Sequence, residues 1–575
     1  MSSYREEFER WMDSPALSEE EWSELNAIAE DDKEIKERFF APLEFGTAGL
    51  RGTMKTGLHN MNIHIIRHAT QAFADIICAE GEEAKNAGII IAHDCRLNGR
   101  QFAEEAAAVM AANGIRVRIF DSLRPTPELS FAVIHYGATA GLNITASHNP
   151  KEYNGYKVYW SDGAQLPPQH ADAIARRMAE TDIFTCFKTC DYTQAVEDGR
   201  IEVIGEETDE AFLEKVLGQA INPHAVAAVA DEFKIVYTPF HGCGYKLVPE
   251  ALRRLGMKHI FPVPEQMVID GSFPTVVSPN PENPEGFYLA VDLARKVDSD
   301  LIIGTDPDSD RVGTMVRDGE DYVTITGNQM GVLLLDYIIQ ARRETGSMPP
   351  SPGAVTSLVT TPMARTVCEK NGVHYEDTFT GFKFMAERIG TWEAAGTYQY
   401  IFAYEESYGY MVGDYVRDKD AVTISMLIAE MAAFYHAKGM TLLDALHMLY
   451  EKYGFYMEHT LNLVMPGVGG LEKMRELMRT LRAEPPEQIA GEEVIRMRDY
   501  QDGSITVKGL GKVDRTPYYG SNVLYFELAD GSIFIVRPSG TEPKIKVYLL
   551  VRGSSSEECA AKITRYQDYA EALGK

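Results

Sequence analysis

Four short stretches of the 575-residue chain carry side chains able to do chemistry. In GTDPDSDRVG, Asp306, Asp308 and Asp310 alternate after an apolar run. Carboxylates spaced this way in an extended loop fall on one side. Three so close repel one another unless a hard cation neutralises them. An EF-hand is excluded, because its sixth loop position requires Gly and its twelfth Glu, whereas Arg311 and Arg317 stand there. Three carboxylates leave coordination positions open for water or a phosphate oxygen, as Mg²⁺ requires. The adjacent Arg311 could grip a phosphate that the metal touches. By itself the triplet also fits a solvated acidic turn.

In FIVRPSGTEPK (534–544), Arg537 leaves an apolar run and Ser539, Gly540 and Thr541 follow in a tight turn. Arginine binds phosphate bidentately, and the hydroxyls and turn amides add neutral donors. The plain alternative is a Pro-Ser-Gly turn with a solvent-facing arginine. AYEESYG (403–409) offers Glu405, Glu406 and Ser407, a carboxylate-and-hydroxyl set suited to vicinal sugar hydroxyls, or else a surface acidic turn. TASHNP (145–150) holds Ser147 beside His148, with no G-x-S-x-G elbow to support a hydrolase serine. Lesser signals are Arg51 among the glycines of FGTAGLRG, Lys383 in TGFK, and Arg417 and Lys419 in RDKD. The glycines around Arg51 would let backbone approach a ligand closely.

The elements that position these loops follow one pattern. AGIIIAHD (87–94) reads as a buried strand, RQFAEEAAAVMAANG as a helix ending at Gly114, and IRVRIF and GLNI as further strands, the last leading into TASHNP. A second unit opens with FKIVYTPFHG, and its strand DLIIG runs into TDPDSDR. A third opens with TSLVTTPMA (356–364), and YQYIFAY runs into EESYG. Alternating strands and helices predict α/β units with mixed or parallel sheets. In open α/β sheets ligands bind beyond the carboxyl ends of strands, where all three polar loops fall. After about residue 455 the texture changes to strands around an Asp-Gly turn (522–552) and an amphipathic final helix capped by serines, a fourth, α+β domain. RAEPPEQIAGEE reads as a polar loop within it. The expected domains are 1–210, 211–325, 326–455 and 456–575, in keeping with about 150 residues each.

The formal charge of −29, without a Lys/Arg block, argues against nucleic acid and anionic membranes as partners. No segment reaches the ~18 consecutive apolar residues of a membrane span, and the acidic N-terminus is no secretory signal. Seven scattered cysteines fit reduced thiols and a cytoplasmic location. Monomer and dimer both stay open. With so acidic a chain, cations must concentrate at any anion site; Arg51, Lys157, Arg311, Lys383, Arg417, Lys419 and Arg537 are the candidates.

TASHNP, DPDSDR, EES and RPSGTEPK together, in this order and one per domain, resemble the α-D-phosphohexomutase superfamily over about residues 40–550. TASHNPKEYNGYKVYW and GTAGLRG are most similar to its phosphoglucomutase and phosphopentomutase branch. The resemblance implies a four-domain architecture around a central cleft, three similar α/β domains and a C-terminal α+β domain. It implies an enzyme, an intramolecular phosphotransferase moving a phosphoryl group between C1 and C6 of glucose phosphate. Pentose and mannose phosphates are the alternative substrates, and a phosphoserine-dependent sugar phosphatase and a catalytically idle sugar sensor are the competing classes. It implies that Ser147 carries the phosphoryl group and that Mg²⁺ is held by Asp306, Asp308, Asp310 and phosphorylated Ser147. Arg51, His148, Lys157 and Arg311 would line the reaction centre, with Lys157 a candidate acid/base. Lys383, Glu405, Ser407, Arg417 and Lys419 would bind the sugar, and Arg537, Ser539, Gly540 and Thr541 the distant phosphate. Glucose 1,6-bisphosphate would be intermediate and activator. Two departures bear on the sugar: Gly409 stands where some mutases have histidine, and Phe382 where phosphoglucomutases often have tryptophan.

Overall fold

A computed structural model describes residues 3–46, 49–465, 469–539 and 544–574. Contacts divide the chain into two compact units, Met1–Thr326 with Tyr408–Gly439, and Gly327–Ser407 with Met440–Lys575.

The first unit contains two mixed sheets. One runs in the order Leu50–Thr53, Tyr153–Trp160, Ala140–Ile144, Ile89–His93, Val117–Phe120, Ile201–Ile204. Its last four strands are parallel, and the first two are antiparallel additions. The four parallel strands are covered on both faces, which is why Ile89–His93 and Ala140–Ile144 read as apolar runs without alternation. The alanine-rich helix Gly99–Ala112 packs against this sheet; the small side chains let it lie close. The second sheet has the order Asp321–Ile325, Val312–Asp318, Leu301–Thr305, Lys234–Thr238, His259–Pro262. There the last three strands are parallel and the first two antiparallel.

Three N-terminal helices precede these sheets: Tyr4–Met12, Glu19–Ala27 and Asp32–Phe39. Ser3 and Ser18 start the first two with reciprocal capping boxes. The helices bury Trp11, Leu25, Ile35 and Phe39 in the core of the first sheet, so a stretch that reads as merely acidic contributes apolar anchors.

In the second unit, His374–Thr378, Pro352–Ser357 and Gln399–Glu405 form parallel pairs. The strand expected from residue 356 thus begins four residues earlier, at Pro352. An antiparallel sheet follows, in the order Phe455–Val464, Lys544–Gly553, Ile533–Pro538, Leu524–Leu528, Glu492–Asp499, Ser504–Val507, Gly511–Arg515. Helices Gly470–Ala483 and Ser556–Leu573 cover it, burying Met474, Met478, Cys559 and Tyr566. Ser555 caps the last helix through Glu558 N, as the serine run predicts. The stretch read as a polar loop is partly strand: Gln488–Ile489 pairs with Glu492 and Glu493, and Ile489 is fully buried. One buried side chain among charged neighbours gives no periodic signal, so the pairing is invisible locally.

Among the described residues no helix is long and apolar enough to cross a membrane, and all seven cysteines are free thiols.

Candidate functional site

Ser147 follows the strand Ala140–Ile144, whose parallel neighbour Ile89–His93 ends beside it. Its backbone is left-handed, φ +52°. That is an uncommon conformation for a non-glycine residue, and such residues cluster at functional sites. What holds it is an arginine. Arg96 donates to the carbonyls of Ser147 and Pro150 at 2.6 and 2.8 Å, and to that of Tyr153 at 2.9 Å. It also donates to the carbonyl of Asn149 at 2.5 Å and pairs with Asp94 at 3.3 Å, both side chains fully buried. Asp94 in turn accepts from Thr145 Oγ1 at 2.6 Å, and Thr145 Oγ1 accepts the Ser147 amide at 2.9 Å. Burial pushes the Asp94 carboxyl up to about 6, against the pull of Arg96 and Thr145. The serine loop is therefore wrapped around one guanidinium.

Arg96 is a functional residue that sequence reasoning missed. The available signal is its place just past the carboxyl end of the buried strand Ile89–His93. Arg96→Leu is expected to destabilise the fold by about 3–5 kcal/mol, the effect of stranding a buried partner charge. The remaining folded protein should lose activity. Denaturant melts and steady-state rates measured on one preparation check both.

The Ser147 hydroxyl donates to Asp306 Oδ2 at 2.9 Å and lies 3.1 Å from His148 Nδ1. Asp306, Asp308 and Asp310 are buried, and each offers a carboxylate oxygen within 4.8 Å of the others. Their loop is not the extended segment that the alternation predicts. Ser309 is left-handed, φ +53°, and Asp306 Oδ1 accepts the amides of Asp310 and Arg311 at 3.1 and 2.9 Å. The chain curls around the first aspartate, and the curl rather than a two-residue period gathers the three groups. Burial and the charges of Asp308 and Asp310 push Asp306 well above the usual carboxylate range. Burial acts the same way on Asp310, but Lys157, Lys419 and Arg311 hold it low.

Lys157 lies on Tyr153–Trp160, directly opposite Asn143 of Ala140–Ile144. Its Nζ is 3.0 Å from both Asp308 Oδ2 and Asp310 Oδ2. Lys419 Nζ is 3.2 Å from Asp310 Oδ2 and 3.1 Å from Asp418 Oδ1. Asp418, fully buried, also accepts from Tyr159 Oη at 2.9 Å and Gln165 Nε2 at 3.0 Å. Lys419 and Asp418 arrive with Tyr408–Gly439, a segment docked on the second sheet by the bridge between Arg311 and Gly409 and by the Ala421 amide donating to Ser309 O at 3.1 Å. Burial opposes the charge on Lys157, yet the surrounding aspartates push its ammonium well up. His148 is driven the other way, well below its ordinary value, by burial and then by Arg311 and Arg51.

Arg311 pairs with Glu282 at 2.6 Å. Arg51, solvent-exposed, donates to Asn149 Oδ1 at 2.9 Å. The glycines around Arg51 serve packing as well. A Cβ on Gly49, φ +82°, would lie 1.7 Å from the Tyr156 carbonyl oxygen, so at this position the close approach is of one strand to another. Arg417 donates its amide to Ser130 Oγ at 2.9 Å and its guanidinium to the carbonyls of Asp414 and Val416.

The second unit holds the remaining candidates. Glu405 ends the strand Gln399–Glu405 and is buried. Glu406 accepts from Ser357 Oγ at 2.9 Å, and half-buried Ser407 is the last residue before the chain returns to the first unit. Lys383 lies in the first turn of Phe382–Ala395, its ammonium 4.7 Å from the Phe384 ring centroid, and burial lowers its pKa. Arg537 is on Ile533–Pro538 beside Tyr548, and Ser539 donates its amide to Lys544 O at 2.8 Å. Gly540 and Thr541 lie outside the described residues. Within the first unit the structure thus brings Ser147, His148, Lys157, Lys419, Arg311 and the three aspartates together.

Family models match the chain in four consecutive pieces. These are described as phosphoglucomutase/phosphomannomutase alpha/beta/alpha domains I, II and III, over residues 42–183, 210–319 and 326–453, and the C-terminal domain, over residues 496–562. A phosphoglucomutase of Staphylococcus saprophyticus is 33% identical over 523 residues, 90% of this chain and 92% of its own length. One of Staphylococcus aureus is 34% identical over 544 residues, 93% of this chain and 94% of its own. Among solved structures, the Paramecium phosphoglucomutase parafusin in its open form superposes with a TM-score of 0.69 at 18% identity, over 93% of this chain and 95% of that one. A phosphoglucomutase/phosphomannomutase family protein of Burkholderia thailandensis gives 0.63 at 19%, over 92% and 96%. At such identities the structural likeness speaks to the fold.

Proposed function

Because the chain belongs to the phosphoglucomutase/phosphomannomutase family and is an intramolecular phosphotransferase of that kind, we propose that it moves a phosphoryl group between C1 and C6 of glucose phosphate, with phosphorylated Ser147 as carrier and glucose 1,6-bisphosphate as intermediate. The observation carrying this reading is the Ser147 hydroxyl, held 2.9 Å from one of three clustered buried carboxylates.

A divalent cation fits those carboxylates. Oδ1 of Asp308 and Oδ1 of Asp310 are buried and accept no hydrogen bond from any described residue. Such orphaned acceptors are costly unless something neutralises them. Asp306, Asp308, Asp310 and an oxygen of phosphorylated Ser147 would hold Mg²⁺, which when bound neutralises charge on the transferring phosphoryl oxygens.

The chain's own groups have these roles. Arg537, Ser539, Gly540 and Thr541 anchor the phosphate that is not reacting. Glu405 and Ser407 bind sugar hydroxyls, with Lys383, Arg417 and Lys419 adding substrate contacts. Arg51, Arg311 and His148 surround the phosphoryl group, and Lys157 handles the proton. In the first half, the bond from phosphorus to Ser147 Oγ breaks and one to the free sugar hydroxyl forms. The Lys157 ammonium gives a proton to the departing serine oxygen, so that Ser147 regains its hydroxyl, and takes in its place the proton that the attacking sugar hydroxyl loses. The bisphosphate then turns end for end, and its other phosphoryl group returns to Ser147 by the same steps reversed. One set of anchors must accept both orientations, which fits hydroxyl-tolerant carboxylates and a phosphate grip better than a tight sugar pocket.

A coupled rate comparison of glucose, mannose, ribose and N-acetylglucosamine 1-phosphates, with and without glucose 1,6-bisphosphate, tests this. Glucose 1-phosphate should be fastest and the bisphosphate should raise its rate. Faster turnover of ribose 1-phosphate would replace glucose with pentose. Steady release of inorganic phosphate without isomerised sugar would sink the mutase reading.

A further inference from the structure

Thr126 is the first residue of the helix Thr126–His135, fully buried and outside every motif considered above. Its hydroxyl donates to Asp308 Oδ2 at 2.7 Å, and its amide donates to the Asp308 carbonyl at 2.8 Å. The hydroxyl also accepts from Asn143 Nδ2 at 2.8 Å. That third contact matters, because a hydroxyl that takes an N–H on its lone pair is left with its single proton for Asp308. Asn143 is itself the residue opposite Lys157 in the strand pair, and Lys157 donates to the same Asp308 Oδ2 at 3.0 Å. Oδ2 thus receives two donors from the first sheet's domain, whereas Oδ1 receives none among the described residues and is buried.

Two fixed donors on one oxygen determine the rotation of a carboxylate about its terminal bond, which is otherwise soft. With Oδ2 held by Thr126 and Lys157, Oδ1 is the oxygen left to the aspartate cluster. The backbone grip at 2.8 Å fixes the loop's position while the hydroxyl fixes the side chain's.

We propose that Thr126 is a positioning residue for the metal centre: its hydroxyl, oriented by Asn143, turns Asp308 so that Oδ1 is presented to the divalent cation. This rests on the metal reading given above. Outer-shell partners of this kind contribute roughly 10–100-fold in metal affinity.

The test is direct Mn²⁺ binding to the full-length protein, by calorimetry or by the loss of the free-ion electron paramagnetic resonance signal. It is paired with sugar-phosphate KM and melting temperature. Thr126→Val keeps shape and removes the hydroxyl; it should weaken Mn²⁺ binding about 10–100-fold and raise the metal concentration needed for half-maximal rate, with sugar-phosphate KM unchanged. Thr126→Ser keeps the hydroxyl and should bind Mn²⁺ within about threefold of wild type, well inside that range. Thr126→Ala gives the same reading as valine should the valine protein not fold. Wild-type Mn²⁺ affinity in folded Thr126→Val or Thr126→Ala would overturn the proposal. So would a serine variant as weak as valine, since methyl packing would then be the determinant. Absence of Mn²⁺ binding in the wild type as well as in every variant would instead overturn the metal reading, and the positioning role with it.

Discussion

Ser147→Ala is expected to lower kcat by more than about 10⁴-fold, a loss of about 5–6 kcal/mol of transition-state stabilisation, while sugar phosphate still binds. The substitution removes one oxygen. It leaves the four carbonyl grips of Arg96 and the Thr145 hydrogen bond to the 147 amide, so the loop should keep its shape. Of the neighbouring hydroxyls, Thr145 donates to Asp94 and Thr126 to Asp308, and the Ser309 hydroxyl is buried on the aspartate loop. Intact-mass and peptide mapping of the wild type should find phosphate on Ser147 in part of the molecules, and none on this peptide in the variant. Retained mutase turnover in the variant, or phosphate mapped only to another residue, would contradict the carrier assignment.

The second large effect is at the aspartates. Asp308→Ala should reduce the rate at least about 10²-fold, since it removes charge and a ligand from the metal centre. Yet the protein should still fold. Three buried carboxylates within 4.8 Å oppose one another, and deleting one relieves repulsion while Lys157 keeps Asp310 as partner. The wild type should gain stability from Mg²⁺, about 2.7 kcal/mol at a hundredfold excess over Kd. The variant should show no such gain. Thermal melts with chelator and with Mg²⁺ read this difference, and a variant with normal Mg²⁺ stabilisation and normal activity would refute the ligand assignment. On the proposed reading, the cluster is a place where function opposes stability until a cation is bound.

Much of this was legible in the residues. Apolar runs ending in polar loops placed Ser147 and Asp306 at strand ends, because a parallel strand covered on both faces must empty into a loop that can hold polar groups. The alternating aspartates pointed to a cation, and Arg537 with the hydroxyls after it to a phosphate, and both expectations enter the proposed function. Less was legible where a residue's task depends on partners far along the chain. Arg96 looks like any arginine after a strand until 147, 149, 150 and 153 are folded around it. Gln488–Ile489 reads as loop because its pairing is set by its neighbour strand rather than by its own pattern.

The sequence by itself determined the chemical inventory: one hydroxyl, three carboxylates, a handful of candidate cationic side chains in a chain of net charge −29, and the strand-ended loops that carry them. Those are matters of residue type and short spacing, and short-range sterics and hydrophobic periodicity decide them. Tertiary structure alone decided the geometry. Ser147 meets Asp306 across 159 residues and Thr126 meets Asp308 across 182. Lys157 lies between two aspartates because an antiparallel strand is added to the edge of a parallel sheet. The direction a carboxylate faces is set by hydrogen bonds from elements with no sequence relation to it, so no reading of the aspartate loop alone contains it.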